Sequence, residues 1–325
     1  MKMSRSASAL ACIAALSAGT ASAQDLRLLS AWDASYTVVP LMVDRFVELV
    51  SEASDGSISI SVFGPEVAPP FEQLEPTAAG VFDLHFTHGG YHQGTTGIGS
   101  SLDGIDGDPA ARRESGVWDW VDDYYQANHN IKIVSIPSAL TGFQLLLREP
   151  MVDGRIDGQT VRGTQVYHGV IQTLGGAPVT LPPSEIYAAA ERGVINGIAW
   201  PAVGAIGMRL CEVTPYMIRP SFGVVSYLIM MNLDSFNALS DEAQEIVMRA
   251  GEELELETVM NFEEILVEED AEMIACGGEI LDQGAEWGAQ VQAAFSDSVW
   301  ALGVAGSGAA AEELRELARE KGLTN

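Results

Sequence analysis

The stretch Ser240–Cys276, SDEAQEIVMRAGEELELETVMNFEEILVEEDAEMIAC, holds no proline and one glycine, Gly251. Ala243, Ile246, Val247, Ala250 and Leu254 repeat at helical spacing, and Phe262, Ile265, Leu266 and Met273 continue the stripe. Ser240 is suited to the N-cap, Asp241 and Glu242 to the positive end of the helix dipole, and Gly277-Gly278 to the stop. At 1.5 Å per residue such a helix is about 50 Å long, more than one small domain across. It therefore has to serve two domains. A break near Gly251 or Asn261 would give two helices instead.

The segments before it alternate. Leu26–Trp32 reads as a strand, Pro40 opens a helix, Ile58, Ile60 and Val62 alternate with serines, a helix covers Phe71–Ala79, and Phe82–Phe86 is a strand. That order is the grammar of an α/β domain. Gly89–Gly107 reads as a long loop, Trp118–Gln126 as a short helix, and Ile131–Ile136 and Leu145–Leu147 as strands. A second αβ set begins near Asp153. In it Thr160–Arg162 ends a strand, Val166–Leu174 is a helix, Val179–Leu181 a strand, Ser184 a helix cap and Val194–Trp200 a strand. Phe222–Asn232 reads as one long apolar strand, a candidate hinge shared by the two domains.

Composition bounds the function. The chain of 325 residues has 45 acidic against 17 basic residues, a net charge of -28. A cationic face for nucleic-acid phosphates is absent, and adhesion to an anionic membrane is disfavoured. Hydrophobic residues at 47% indicate a folded chain with a substantial core. Lys2 and Arg5, the apolar run Ala9–Leu16 and Ala21-Ser22-Ala23 form a signal peptide cleaved after Ala23, which places the mature protein in the periplasm. Cys211 and Cys276 remain in the mature chain, and whether they pair depends on geometry.

No phosphate loop or nucleophile elbow is present, and Gly97-Ile98-Gly99 reaches Leu102 where a dinucleotide loop needs glycine. His85, His88 and His92, with Asp83 nearby, are the sharpest metal candidates, but no single helical face presents them together. The loop after the strand, His88-Gly89-Gly90-Tyr91, instead reads as the lining of a crevice beyond the strand ends. Arg162 ends a strand in a chain poor in cations, where its planar fork suits a carboxylate. A salt bridge to one of the many acidic residues is the other fate open to it. Trp32, His88, Tyr91, Phe143, Arg162, Trp200 and Tyr227 make up the crevice set, aromatic walls with few polar anchors.

Five stretches resemble the DctP-like solute-binding proteins of TRAP transporters (tripartite ATP-independent periplasmic): Asp157–Arg162, Leu174–Val179, Ser184–Tyr187, Arg192–Gly197 and Trp200-Pro201. The likeness extends over essentially the whole mature chain. It implies a fold of the periplasmic-binding-protein type II kind: two α/β lobes with a mixed sheet each, hinge strands and one long helix spanning both. The expected division is 1–23 signal peptide, 24–141 plus 225–266 lobe I, and 142–224 plus 267–325 lobe II. The resemblance further implies that Arg162 clamps the ligand carboxylate and that the residue before Pro201 faces the ligand. Many members that bind dicarboxylates or sialic acid carry asparagine there, and often a second arginine where this chain reads Thr141-Gly142-Phe143. Trp200 and the missing arginine favour a monocarboxylate with an apolar or cyclic body.

The leading expectation is thus a non-enzymatic receptor without cofactor, a monomer or dimer, that delivers an organic acid to TRAP membrane subunits. A secreted metal-dependent hydrolase using the three histidines, and a binding subunit of another transporter or sensor, are the competing readings.

Overall fold

The computed structural model describes residues 24–324. The signal peptide expected over residues 1–23 lies outside them. Twelve strands form two sheets among the described residues: β1 Gln24–Ser30, β2 Ile58–Phe63, β3 Leu84–His88, β4 Ile131–Ser135, β5 Ser138–Ala139, β6 Phe143–Leu147, β7 Thr160–Arg162, β8 Ala177–Val179, β9 Gly197–Pro201, β10 Tyr216–Phe222, β11 Val225–Asn232 and β12 Glu279–Asp282. The first sheet runs β2-β1-β3-β11-β4, with β5 also paired to β11; the second runs β12-β10-β6-β9-β7-β8. Each mixes parallel and antiparallel pairs. β1 lies parallel to β2 and β3, while β11 runs antiparallel to β3, β4 and β5. In the second sheet β6 runs antiparallel to β10 and β9, and β7 parallel to β9 and β8. The expected two-lobed α/β architecture is what the chain adopts.

The single strand expected over Phe222–Asn232 is two strands in two sheets. Phe222 ends β10, and the chain crosses at Gly223-Val224 to start β11. Gly223 has φ +69°, a left-handed conformation that interrupts a strand and that glycine adopts without strain. The other crossing, between β5 and β6, turns at Gly142 with φ +70°. A Cβ there would lie 2.6 Å from the Phe222 carbonyl oxygen and 2.7 Å from that of Gly223. The two crossings are therefore in backbone contact.

The long helix is continuous over Asp241–Ala275, with Ser240 Oγ accepting from the Ala243 N–H as cap. Its apolar stripe is buried at Ala243, Ile246, Val247, Ala250, Leu254, Phe262 and Met273. Gly251 does not break it. A Cβ at that position would overlap the Val134 carbonyl oxygen and come within 3.0 Å of the carbonyl carbon, so glycine lets the helix lie directly on β4. Two buried glutamates fasten the helix. Glu255 accepts from the Ile136 N–H (2.6 Å), Trp118 Nε1 (3.1 Å) and Arg113 Nε (2.8 Å). Four turns on, Glu269 accepts from the backbone N–H groups of Gly204, Ala205 and Ile206, in the loop after β9.

Cys211 and Cys276 form a disulfide. The helix Gly284–Ser307 packs on β10 and on the helices His168–Thr173 and Ile98–Ser101. The last helix, Ala309–Glu320, which the sequence division puts with the second lobe, packs on the helix Val117–His129 of the first. Gly89–Gly107 is not an open loop. It winds through short helical turns and is largely buried, because glycine admits close backbone contacts such as Gly89 on Gly99. Ser184 does not cap its helix, which starts at Pro183 with Pro182 in the cap position.

Candidate functional site

The carboxyl ends of β3, β7 and β9 meet at the crossings between the sheets. Each delivers residues to one crevice: His88 and Tyr91 from β3 and the turn after it, Arg162, Thr164 and Tyr167 from β7 and beyond, and Trp200 and Pro201 from β9. Trp32 and Tyr36 follow β1, Tyr227 stands on β11 and Phe143 opens β6. All the crevice residues named from sequence, Trp32, His88, Tyr91, Phe143, Arg162, Trp200 and Tyr227, line this space. Tyr36, Thr164, Tyr167, Pro201 and Val225 line it too and were not named. Thr164 and Tyr167 follow Arg162 by two and five residues, so the rule that ligands sit beyond strand ends could have found them. Tyr36 lies in an irregular segment with no such signal.

Aromatic rings make the walls. The Trp32 ring lies 4.9 Å from Tyr91, 5.4 Å from Tyr36 and 5.9 Å from Tyr227, centroid to centroid. Tyr36 meets Trp200 edge-on at 5.3 Å, and Phe143 meets Tyr167 edge-on at 5.0 Å. Trp32 Nε1 donates to Tyr91 Oη (2.9 Å), and the Tyr36 and Tyr227 hydroxyls are 2.7 Å apart. Burial pushes the phenols of Tyr36, Tyr91, Tyr167 and Tyr227 up, so all four keep their protons at neutral pH. Arg162 pulls back on Tyr91 and Tyr167 without reversing them.

Arg162 is the one arginine or lysine of the lining, and it is 1% exposed. Its Nε and Nη2 donate to the Leu181 carbonyl (3.0 and 2.8 Å), and its Cζ sits 5.1 Å from the centre of the Trp200 ring. Among the described residues no carboxylate lies within ion-pair distance of it. The salt bridge offered by so acidic a chain does not form. The buried guanidinium is held by a carbonyl and an aromatic face, with no described carboxylate to balance it.

His88 lines the crevice as the last residue of β3 rather than from a loop, and both its ring nitrogens are engaged. Nε2 donates to Asp103 Oδ2 (2.8 Å) and Nδ1 accepts from the Gly90 N–H (3.1 Å). The three histidines diverge. His85 Nε2 meets Gln73 Oε1 (3.1 Å) and His92 Nε2 meets the Tyr125 hydroxyl (2.7 Å). Burial lowers both to a pKa of about 3. Among the described residues no group of three or more His, Cys, Asp or Glu converges as a metal site.

The lobes are closed. The crevice holds about 10 Å³, room for one water at most. Trp32 and Tyr36 also line a neighbouring cavity of about 170 Å³, together with Asp33, Pro183, Tyr187 and Met208.

Two mixed sheets joined by crossing strands, with an aromatic crevice between them and a helix spanning both, make a two-lobed α/β fold. Residues 156–301 match the model of the DctP family, described as bacterial extracellular solute-binding protein, family 7. A solute-binding protein of Sulfitobacter sp. (strain NAS-14.1) is 30% identical over 127 residues, 38% of each chain. The chain thus aligns with little more than a third of that relative's length. The crystal structure of DctP7, a Bordetella pertussis extracytoplasmic solute receptor binding pyroglutamic acid, is similar with a TM-score of 0.78 at 14% identity, covering 91% of this chain and 100% of that one. A TRAP periplasmic solute-binding protein from Desulfovibrio salexigens with bound orotic acid gives a TM-score of 0.80 at 17% identity, covering 91% and 98%. The fold is that of TRAP transporter solute-binding proteins. Among the described residues no helix is long and apolar enough to cross a membrane.

Proposed function

We propose that this chain is an extracytoplasmic receptor that captures a small organic acid, closes on it and hands it to TRAP membrane subunits. Arg162 carries the reading: it is buried in an aromatic crevice and unpaired with any described carboxylate. The ligand carboxylate takes that charge, and the rings of Trp32, Tyr91, Phe143, Trp200 and Tyr227 enclose a flat or apolar body. The similar proteins support a small organic acid: the Bordetella receptor binds pyroglutamic acid and the Desulfovibrio protein holds orotic acid, both cyclic monocarboxylates, while one from Rhodoferax ferrireducens holds malonate. Residues 1–23 serve as the export signal. Lobe I comprises 24–141 plus 225–266, and the lobes move about the crossings at Gly142 and Gly223.

A thermal-shift screen across organic acids identifies the ligand, because a molecule bound only by the folded state raises Tm. With that ligand, Arg162→Ala is expected to weaken binding by roughly 10²–10³-fold in calorimetry, the order for truncating one side of a buried charge pair. Arg162→Lys is not expected to restore it, because an ammonium lacks the planar fork. Wild-type affinity in Arg162→Lys would refute the clamp, and binding of succinate or sialate in place of cyclic or aromatic monoacids would refute the ligand class.

A further inference from the structure

Two polar atoms among the crevice residues are buried without any protein partner, Trp200 Nε1 and Thr164 Oγ1. Their neighbours are paired: Trp32 with Tyr91, Tyr36 with Tyr227, and His88 with Asp103 and Gly90. Buried donors are nearly always satisfied, so an unpaired indole N–H in a binding crevice calls for a partner from outside the chain. An indole N–H only donates, which makes that partner an acceptor. The donor is also close to the carboxylate clamp. The Trp200 ring centre lies 5.1 Å from Arg162 Cζ, and Thr164 follows Arg162 by two residues. Thr164 reaches the other lobe as well: a Cβ on Gly90 would stand 3.4 Å from its hydroxyl oxygen.

We infer that Trp200, supported by Thr164, is a specificity-determining residue that reads a hydrogen-bond acceptor on the carbon next to the ligand carboxylate. The ligand class is then an α-substituted monoacid, such as a 2-oxo acid or a ring acid with a ring nitrogen beside the carboxylate, rather than a plain monoacid of the same shape. The inference rests on the reading of Arg162 as the carboxylate clamp. A site built to donate to such an atom rejects an analogue lacking it, because binding then leaves the donor buried and unpaired.

Paired probes test it by calorimetry on the mature protein: picolinate against benzoate, and phenylpyruvate against 3-phenylpropionate. In the wild type the acceptor-bearing acid of each pair is expected to bind at least about tenfold tighter. Trp200→Phe keeps an aromatic side chain, though a smaller one, and removes the N–H. It is expected to bring each pair to within roughly threefold, and the readout is that ratio within a pair, because losing indole wall area weakens both acids of a pair alike. Thr164→Val, which removes the hydroxyl at nearly constant shape, should narrow the gap in the same direction. In the wild type, the Trp200 indole proton resonance should move downfield on adding picolinate and stay in place with benzoate, a readout that needs no variant to fold. Equal binding within pairs, an undiminished ratio in Trp200→Phe, or failure of both acceptor-bearing acids to bind overturns the inference. Arg162→Ala separates the two readings. If it abolishes binding while the pairs bind alike, the clamp stands and the role of Trp200 falls; if it binds normally, the clamp itself is wrong.

Discussion

Replacing Gly251 by alanine sets two effects against each other. In a helix interior alanine is favoured over glycine by about 1 kcal/mol. At this position the added methyl would overlap the Val134 carbonyl oxygen and stand 3.0 Å from the carbonyl carbon and 3.1 Å from Val134 Cγ1. The obstacle is strand backbone in β4, which cannot rotate away as a side chain can. Overpacking of this kind costs about 1–3 kcal/mol. Lifting the helix also stretches the bond from Ser135 Oγ to the Gly251 carbonyl, 2.7 Å, worth a further 0.5–1.5 kcal/mol or so. The net expectation is a loss of about 1–3 kcal/mol. With an unfolding entropy of roughly 2.1 cal/mol/K per residue, a chain of this size loses about 2–5 °C in Tm. Urea titration and thermal melts of Gly251→Ala measure it. Glu252→Ala, one residue along on the exposed face, is the control and should stay within about 0.5 kcal/mol. A Gly251→Ala protein as stable as the wild type, or more so, would show that close packing on β4 is not what holds glycine there.

The remaining expectations concern stability. The Cys211–Cys276 bridge joins residues 65 apart, and closing a loop of that length stabilises by about 4 kcal/mol through the unfolded state, so the double serine variant should lose a comparable amount in urea titration. No loss would mean that the bridge is unformed or strained. His85 and His92 titrate at about 3 in the folded chain against 6.5 in the unfolded one. The unfolded state therefore binds more protons between those values, and this contribution to stability is complete above pH 6.5 and is lost as pH falls toward 3. Each histidine contributes up to about 1.4 kcal/mol per pH unit in that window. Folding measured against pH in His85→Gln should show a shallower acid limb than the wild type, and an identical limb would refute the buried neutral state.

The parts of the architecture that could be read in advance share a physical cause. The helix Asp241–Ala275 was legible because a proline-free apolar stripe of period 3.6 has few other uses. Arg162 stood out because a cation at a strand end is conspicuous in so acidic a chain. The break between β10 and β11 was hidden, since Phe222–Asn232 is apolar throughout and Gly223 is locally no different from a strand glycine. Its left-handed φ becomes visible only when the two sheets are seen. Gly89–Gly107 misled for a related reason: small residues suit an open loop and a tightly packed backbone equally, and tertiary contacts decide. The shift of the third strand by two residues, to Leu84–His88, moved His88 from loop to strand end. There its ring is committed to Asp103, a partner fifteen residues away that no local pattern reveals.

Glu255 and Glu269 grip backbone on the first-sheet and second-sheet sides from one continuous helix, fourteen residues or about 21 Å apart. With both grips held, the lobes cannot slide or separate along that axis. Opening the crevice has to appear as a swing about the rod or as flexure of the helix between the two grips. That intervening segment exposes Leu256, Met260 and Val267, so one of its sides is free of packing that would resist bending. If the lobes part as proposed, the distortion falls on this single element, which would work as a torsion bar between them.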